Sequence, residues 1–191
     1  MEVMAEDEHR GFGRTYPIVI AAYDPGWPAK YEAEAMRIRE ALGPTALRID
    51  HIGSTSVPGL GAKPVIDIQV SVAEIGSKQL YRDAIEGLGY EYRPDHADED
   101  HEYFQREEGG VRAYQIHVVR AGSDWERRHL LFRDYLRAHP DEAARYETVK
   151  RACARRHPMD ILAYIDAKGE WIVPVERRLL EELSNDQPVV G

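Results

Sequence analysis

The residues best placed to do chemistry begin at Gly53-Ser54-Thr55-Ser56, directly after a short apolar run from Ala46 to Ile52. A glycine-rich turn exposes backbone N–H groups and hydroxyls add further donors, so such a turn can hold phosphate oxygens. The same residues also make an ordinary structural bend. The glycine and lysine spacings of a Walker loop or a dinucleotide fingerprint are absent. The next apolar run, Val65 to Val72, reads as a strand. Its alternation puts Ile66, Ile68, Val70 and Val72 on one face and Asp67, Gln69 and Ser71 on the other with Val65. A carboxylate amid such a strand is costly unless a metal ion, a lysine or a substrate pairs with it. The other reading is a strand face turned to water.

In Tyr114-Gln115-Ile116-His117-Val118-Val119, Gln115 and His117 share a face. If that strand lies beside the first, His117 reaches Asp67. A neutral imidazole with a carboxylate suits Mn²⁺ or Zn²⁺ better than Mg²⁺. A half-buried histidine hydrogen-bonded to Asp67 without metal uses the same contact. His51 borders this region and reads as structural filling, whereas His96 and His101 in the acidic segment read as solvated. Cations stand nearby: Lys63 before the Asp67 strand, and Arg128 and Arg133 in a later helical segment, where arginine makes bidentate contacts. Tyr146 with Lys150, and Tyr164 with Lys168, are each four residues apart, which places each pair on one helix face. Such a pair can meet a phosphate, or the lysine stem can simply pack the ring.

These residues need a scaffold. Tyr16 to Tyr23 reads as a strand or extended arm, and a helix opens at Pro28 with Trp27, Tyr31, Ala35, Ile38 and Leu42 at helical spacing. Gly43-Pro44 ends it, and Gly53 to Pro64 is loop. Ser77 is expected to cap a helix to Leu88 that buries Leu80, Ala84, Ile85 and Leu88. Tyr90 to Arg93 reads as a strand, and Pro94 to Asp100 as an acidic loop. Glu102–Arg106 and Val111–Arg120 read as a hairpin joined by Glu107-Glu108-Gly109-Gly110. From Asp124, a possible cap, the pattern is helical: helices divided at Pro140, opened at Pro158 with Ile161, Leu162 and Ile165, and separated at Gly169 from a last one carrying Trp171, Val175, Leu179 and Leu183. Mixed strands and helices followed by helices alone argue for an α+β core with an α-helical C-terminal part. The expected organisation is a frayed or disordered tail over 1–15, one domain over 16–183 (α/β core 16–122, helical part 123–183), and a polar tail over 184–191.

Composition sets outer bounds. Hydrophobic residues at 43% supply a sizeable core, and a formal charge of −9 disfavours nucleic acid and acidic membranes. A local basic pocket would have to work against that field. Cys153 is the only cysteine, which precludes an intramolecular disulfide or a cysteine zinc site; it reads as packing, and a reducing cytoplasm is the expected location. No apolar stretch approaches the roughly 20 residues of a membrane helix.

The eighteen residues from His51 to Ile68, with Tyr23-Asp24-Pro25-Gly26-Trp27-Pro28 upstream and Phe132 to Arg137 and Tyr164 to Lys168 downstream, resemble the GrpB family over about residues 16–182. The resemblance implies a nucleotidyltransferase-like fold, a small mixed sheet with helices packed on it. In that superfold a Gly-Ser turn contacts the triphosphate, two acids one residue apart on a strand bind divalent metal, and a third acid comes from a neighbouring strand. Carried over, Gly53-Ser54 is the turn and Asp67 the first acid. Gln69 occupies the second acid's position and His117 corresponds to the third. The family often has His-x-His where this chain has Gln115-Ile116-His117. One charge is little for two metal ions.

The expected function is therefore binding of a nucleotide or phosphate ester, with transfer of a nucleotidyl group to a small hydroxyl or amine acceptor if catalytic. The alternatives are an inactive binding module or a regulatory partner of another enzyme. Gly53, Ser54, Thr55, Lys63, Arg133, Lys150 and Lys168 are the expected phosphate-binding residues. Asp67 and His117 are the expected catalytic residues and ligands of one Mg²⁺ or Mn²⁺ ion. The chain is expected to be a monomer or weak homodimer that binds neither DNA nor membrane.

Overall fold

The computed structural model describes residues 17–97 and 99–185. The strands are β1 (Arg48–Ile52), β2 (Ile66–Val72), β3 (Glu91–Tyr92), β4 (His101–Glu108) and β5 (Val111–Arg120). The helices are α1 (Trp27–Leu42), α2 (Arg82–Gly87), α3 (Asp124–Ala138), α4 (Pro140–Arg156) and α5 (Ile161–Asn185). The sheet order is β1-β2-β5-β4-β3, with β2 and β5 parallel and every other pair antiparallel. This is the expected α+β arrangement: a small mixed sheet with helices packed on it, and helices alone after β5.

The alternation of β2 explains how the two faces divide. Ile66, Ile68, Val70 and Val72, with Phe104, Ile116 and Val118, form the apolar face and bury against Trp27, Ile38 and Leu42 of α1 and Ile85 of α2. The opposite face carries Asp67 and Gln69 of β2 beside Gln115 and His117 of β5. Helices α3 to α5 stand over that side, and Tyr146, Trp171 and Phe132 lock them together: Tyr146 stacks on Trp171 with ring centroids 5.0 Å apart.

Several expectations change here. The segment after Ser77 is a short 3-10 turn (Lys78–Leu80) and then α2, and Ser77 makes no side-chain cap. Leu80 is 63% exposed because Tyr81 takes its place, buried with its hydroxyl donating to the Ile75 carbonyl at 2.7 Å. Ser123, not Asp124, caps α3: its hydroxyl accepts from the Glu126 N–H, and Glu126 in turn accepts from Gly122 N–H. Gly169 does not divide the last helices, and α5 runs through it and through Pro174. A mid-helix glycine costs only about 1 kcal/mol, less than the packing of Trp171 and Ile172 against the Tyr146 cluster supplies. The buried face of α5 centres on Tyr164, while Leu162 and Ile165 lie at its exposed margin.

The strand or extended arm expected at 16–23 is an extended arm over its described part, tied to the loop after β1 by reciprocal Ala21 and Ala62 bonds of 2.9 and 3.0 Å. Residues 1–16 and 186–191 lie outside the described residues, so the N-terminal tail and most of the C-terminal one are not placed. Cys153 is buried among Ile18, Ile20, Ala154 and Tyr164, as expected for packing. Among the described residues, no helix is long and apolar enough to cross a membrane.

Candidate functional site

Glycine at position 53 is dictated by its surroundings. Its φ of 67° and ψ of −175° lie in a region that only glycine occupies readily. A Cβ there would also stand 2.3 Å from Asp67 Oδ2. The chain thus folds its turn directly over the carboxylate of β2. Ser54–Ser56 then forms a single 3-10 turn, closed by the Ser56 hydroxyl donating to the Gly53 carbonyl at 2.5 Å. Arg137 of α3 donates two bonds to the Ser56 carbonyl, at 3.0 and 2.8 Å, and fixes the turn from the helical side. The backbone N–H groups of Ser54 and Thr55 have no hydrogen-bond partner among the described residues. Gly53→Ala is expected to cost at least about 3 kcal/mol, the upper end of the strain at such a conformation, because the clash adds to it. Urea unfolding checks the stability loss.

The turn opens onto a cleft of about 370 Å³ between the polar sheet face and helices α3 to α5. All seven residues singled out for phosphate border it: Gly53, Ser54, Thr55, Lys63, Arg133, Lys150 and Lys168. Asp67 and His117 border it too. Their roles differ once contacts are considered. The Thr55 hydroxyl is already committed, donating to the Val65 carbonyl and meeting His51 Nε2 at 3.0 Å, so Thr55 offers the cleft its amide rather than its hydroxyl. Ser54 bonds the Tyr146 hydroxyl. Arg133 is held by both oxygens of Asp134, at 2.7 and 3.0 Å, and reaches Asp50 at 3.3 Å. Lys150 donates to the Gly61 carbonyl at 2.6 Å while Glu147 accepts from the Gly61 N–H, so this helical turn clamps the loop.

Lys63 and Lys168 are different. Both lie beside the Tyr164 ring, 5.6 and 5.5 Å from its centroid. Among the described residues, no carboxylate is within ion-pair distance of either. Burial, and then Lys168 and Arg112, push Lys63 down to about 8 despite the pull of Asp67. Burial, and then Lys168, push Lys150 down to about 7. A group of cations is thus held together and partly desolvated, with Asp67, Glu147 and Glu176 acting on it at longer range.

The far side of the cleft is built of imidazoles. His117 Nε2 stands 3.7 Å from Asp67 Oδ1, and its Nδ1 lies 3.0 Å from His101 Nε2. His101 stacks on Trp125 with centroids 4.4 Å apart, and Trp125 stacks on His129 at 3.6 Å. The expectation that His101 is solvated is therefore wrong. It opens β4, is 7% exposed, and is covered by a tryptophan from a distant part of the chain. His96 is half-buried and borders the same cleft, edge-on to Tyr103. Burial above all drives His101 down to about 2 and His129 to about 3. His51 fills structure as expected, stacked on Tyr31 and pushed by burial to about 4. Asp67 Oδ1 also accepts from the Gln115 amide at 2.6 Å, whose carbonyl end accepts from Tyr103 at 2.6 Å and Arg112 at 3.3 Å.

Sequence reasoning missed Tyr103, Arg112, His129 and Glu176, all of which line the cleft. Arg128, considered alongside Arg133, instead pairs with Glu176 at 3.4 Å. Gln69, at the superfold's second acid position, is fully buried, its amide has no partner among the described residues, and it is not part of the cleft wall.

The family model for GrpB protein matches residues 17–178. The chain belongs to the GrpB family. The crystal structure of GrpB from Enterococcus faecalis superposes with a TM-score of 0.78 at 35% identity, covering 86% of this chain and 99% of that one. The UPF0157 protein YqkA of Bacillus subtilis is 36% identical over 83% of this chain, which spans only 46% of its length. A dephospho-CoA kinase of Mycolicibacterium paratuberculosis is 31% identical over 85% of this chain, again across 46% of its own length. The chain thus corresponds to under half of some relatives and to nearly the whole of the E. faecalis GrpB chain.

Proposed function

We propose that this GrpB chain binds a nucleotide or related phosphate ester in the cleft, with the polyphosphate between the Gly53-Ser54 turn and the lysines at Tyr164. The observation that carries this reading is the pair Lys63 and Lys168, lining the same cleft as the free amides of Ser54 and Thr55 and, among the described residues, in ion-pair contact with no carboxylate, Asp67 and Glu176 acting on them only at longer range. A protein with a formal charge of −9 keeps such a group against its own field only at a cost, and a polyanion offsets it. Ser54 and Thr55 donate amides, Lys63 and Lys168 supply charge, and Lys150 holds the loop while adding a third ammonium. The acceptor for any transferred nucleotidyl group lies on the imidazole side, near Asp67.

The resemblance to nucleotidyltransferases implies divalent metal. The residues here do not fit a two-metal site: Gln69 is neutral and buried away from the cleft, and among the described residues no three metal-ligating side chains converge. The expected one-ion site on Asp67 and His117 has two protein ligands and no third, so no step of the reading depends on it.

The test is a thermal-shift screen of nucleoside triphosphates, dephospho-coenzyme A and other phosphorylated metabolites, each with and without Mg²⁺ or Mn²⁺. Binding stabilises by mass action, about 2.7 kcal/mol at a hundred times Kd. No shift with any phosphate ester would remove the proposal, and a shift seen only with Mn²⁺ would restore the metal. The sign of the pH dependence follows from the lysines. A bound polyanion favours their protonated forms, so binding takes up protons and weakens as pH rises through 7 and 8, where Lys150 and Lys63 lose theirs. Titrations at pH 6.5 and 8.5 check this, with tighter binding expected at the lower pH.

A further inference from the structure

The hydrogen-bond directions around His117 can be assigned from one fixed end. His101 bonds His117 through Nε2, and the backbone of His96 through its other ring nitrogen. That backbone bond favours the protonated ring, so its acceptor is the His96 carbonyl and His101 Nδ1 carries the hydrogen. His101 is buried, stacked on Trp125, and among the described residues has no carboxylate partner, so it holds one hydrogen only. Its Nε2 is therefore an acceptor, and the hydrogen between the two rings belongs to His117 Nδ1. In the neutral ring His117 Nε2 is then a bare lone pair. It faces Asp67 Oδ1 at 3.7 Å, beyond hydrogen-bond range, on the wall of the cleft.

Two acceptors set side by side with no hydrogen between them call for a ligand that brings hydrogens or positive charge. A metal ion would need further ligands, and among the described residues no third protein ligand converges here. A hydroxyl brings one hydrogen and cannot satisfy both atoms, and a water brings two but no charge to complement the carboxylate. A primary ammonium brings three and complements the carboxylate's charge.

We propose that Asp67 and His117 form a seat for a primary amine, and that His101 is a positioning residue that fixes the His117 tautomer so that Nε2 faces the ligand. The seat lies in the cleft of the proposed phosphate site and would receive an amine-bearing acceptor. It rests on that reading for its role but not for its existence.

The test uses ¹⁵N-labelled full chain without nucleotide at pH 8, above the ordinary imidazole pKa of about 6.5. Two-bond ¹⁵N–¹H correlations report which ring nitrogen bears hydrogen. The expected result is Nδ1–H on His117 in the parent, reversal to Nε2–H in His101→Phe, and retention in His101→Gln, whose carbonyl replaces the lost acceptor. Ethanolamine is expected to move the His117 Nε2 resonance while ethylene glycol leaves it in place, and His101→Phe should weaken the amine's effect about tenfold, the loss of one charge-assisted bond. An Nε2–H parent, an unchanged tautomer in His101→Phe, or equal effects of amine and diol would overturn the proposal. The parent and His101→Gln decide the matter even if His101→Phe fails to fold. Because no phosphate ester is present, an empty phosphate site leaves this result standing, and the reverse holds as well.

Discussion

Replacing Lys63 and Lys168 together by methionine is expected to abolish nucleotide binding while leaving the ligand-free protein at least as stable. Each ammonium is expected to make a charge-assisted bond to phosphate worth about 1.5–3 kcal/mol. Their joint loss weakens binding by about two to four orders of magnitude. The stability prediction has the opposite sign. Lys63 is depressed by burial and by Lys168, so it weakens the unliganded fold at neutral pH, and methionine keeps the stem while removing the charge. Chemical denaturation and nucleotide titration of the same double variant separate the two effects. A variant that lost stability in proportion to affinity would mean that the lysines are structural.

The second large effect is acid sensitivity. His51, His101 and His129 are held neutral in the fold, with pKa values near 4, 2 and 3. Each lies below the unfolded value of about 6.5, so the unfolded chain takes up protons that the folded chain refuses. Stability is therefore complete above pH 6.5 and falls as pH drops below it. At pH 5 each imidazole accounts for about 2 kcal/mol, at 1.36 kcal/mol per unit, and the three together for about 6. That is comparable to the whole stability of a marginal domain, about 5–15 kcal/mol. Urea unfolding at pH 7 and pH 5 measures it, and a difference below about 2 kcal/mol would show that these rings accept protons in the fold.

Much of this was legible in the sequence. The glycine-serine turn, the carboxylate on an alternating strand and the Tyr-x-x-x-Lys pairs each state a local geometry, and the sheet brings them to one cleft. Asp67 and His117 meet because β2 and β5 pair in parallel with Asp67 opposite Gln115 and Gln69 opposite His117. What the sequence hid is non-local. Arg112 should point to the core face by strict alternation from Gln115. Instead the pairing of β4 with β5 slips between Arg106 and Glu107, leaving Ala113 as an extra residue, and Arg112 turns toward the cleft. The His101 ring depends on Trp125, and Glu176 reaches the cleft only because α5 continues through Gly169 and Pro174. The helix expected from Ser77 starts only at Arg82, after a 3-10 turn, because Leu80 and Tyr81 compete for the same buried position and Tyr81 takes it.

The central claim is that Lys63 and Lys168 await a polyphosphate. Isothermal titration of the parent and the Lys63→Met/Lys168→Met variant with ATP at pH 7 tests it most directly. The account predicts saturable binding to the parent and none measurable to the variant at the same concentrations. Equal affinity for both, or no heat with either, would contradict it.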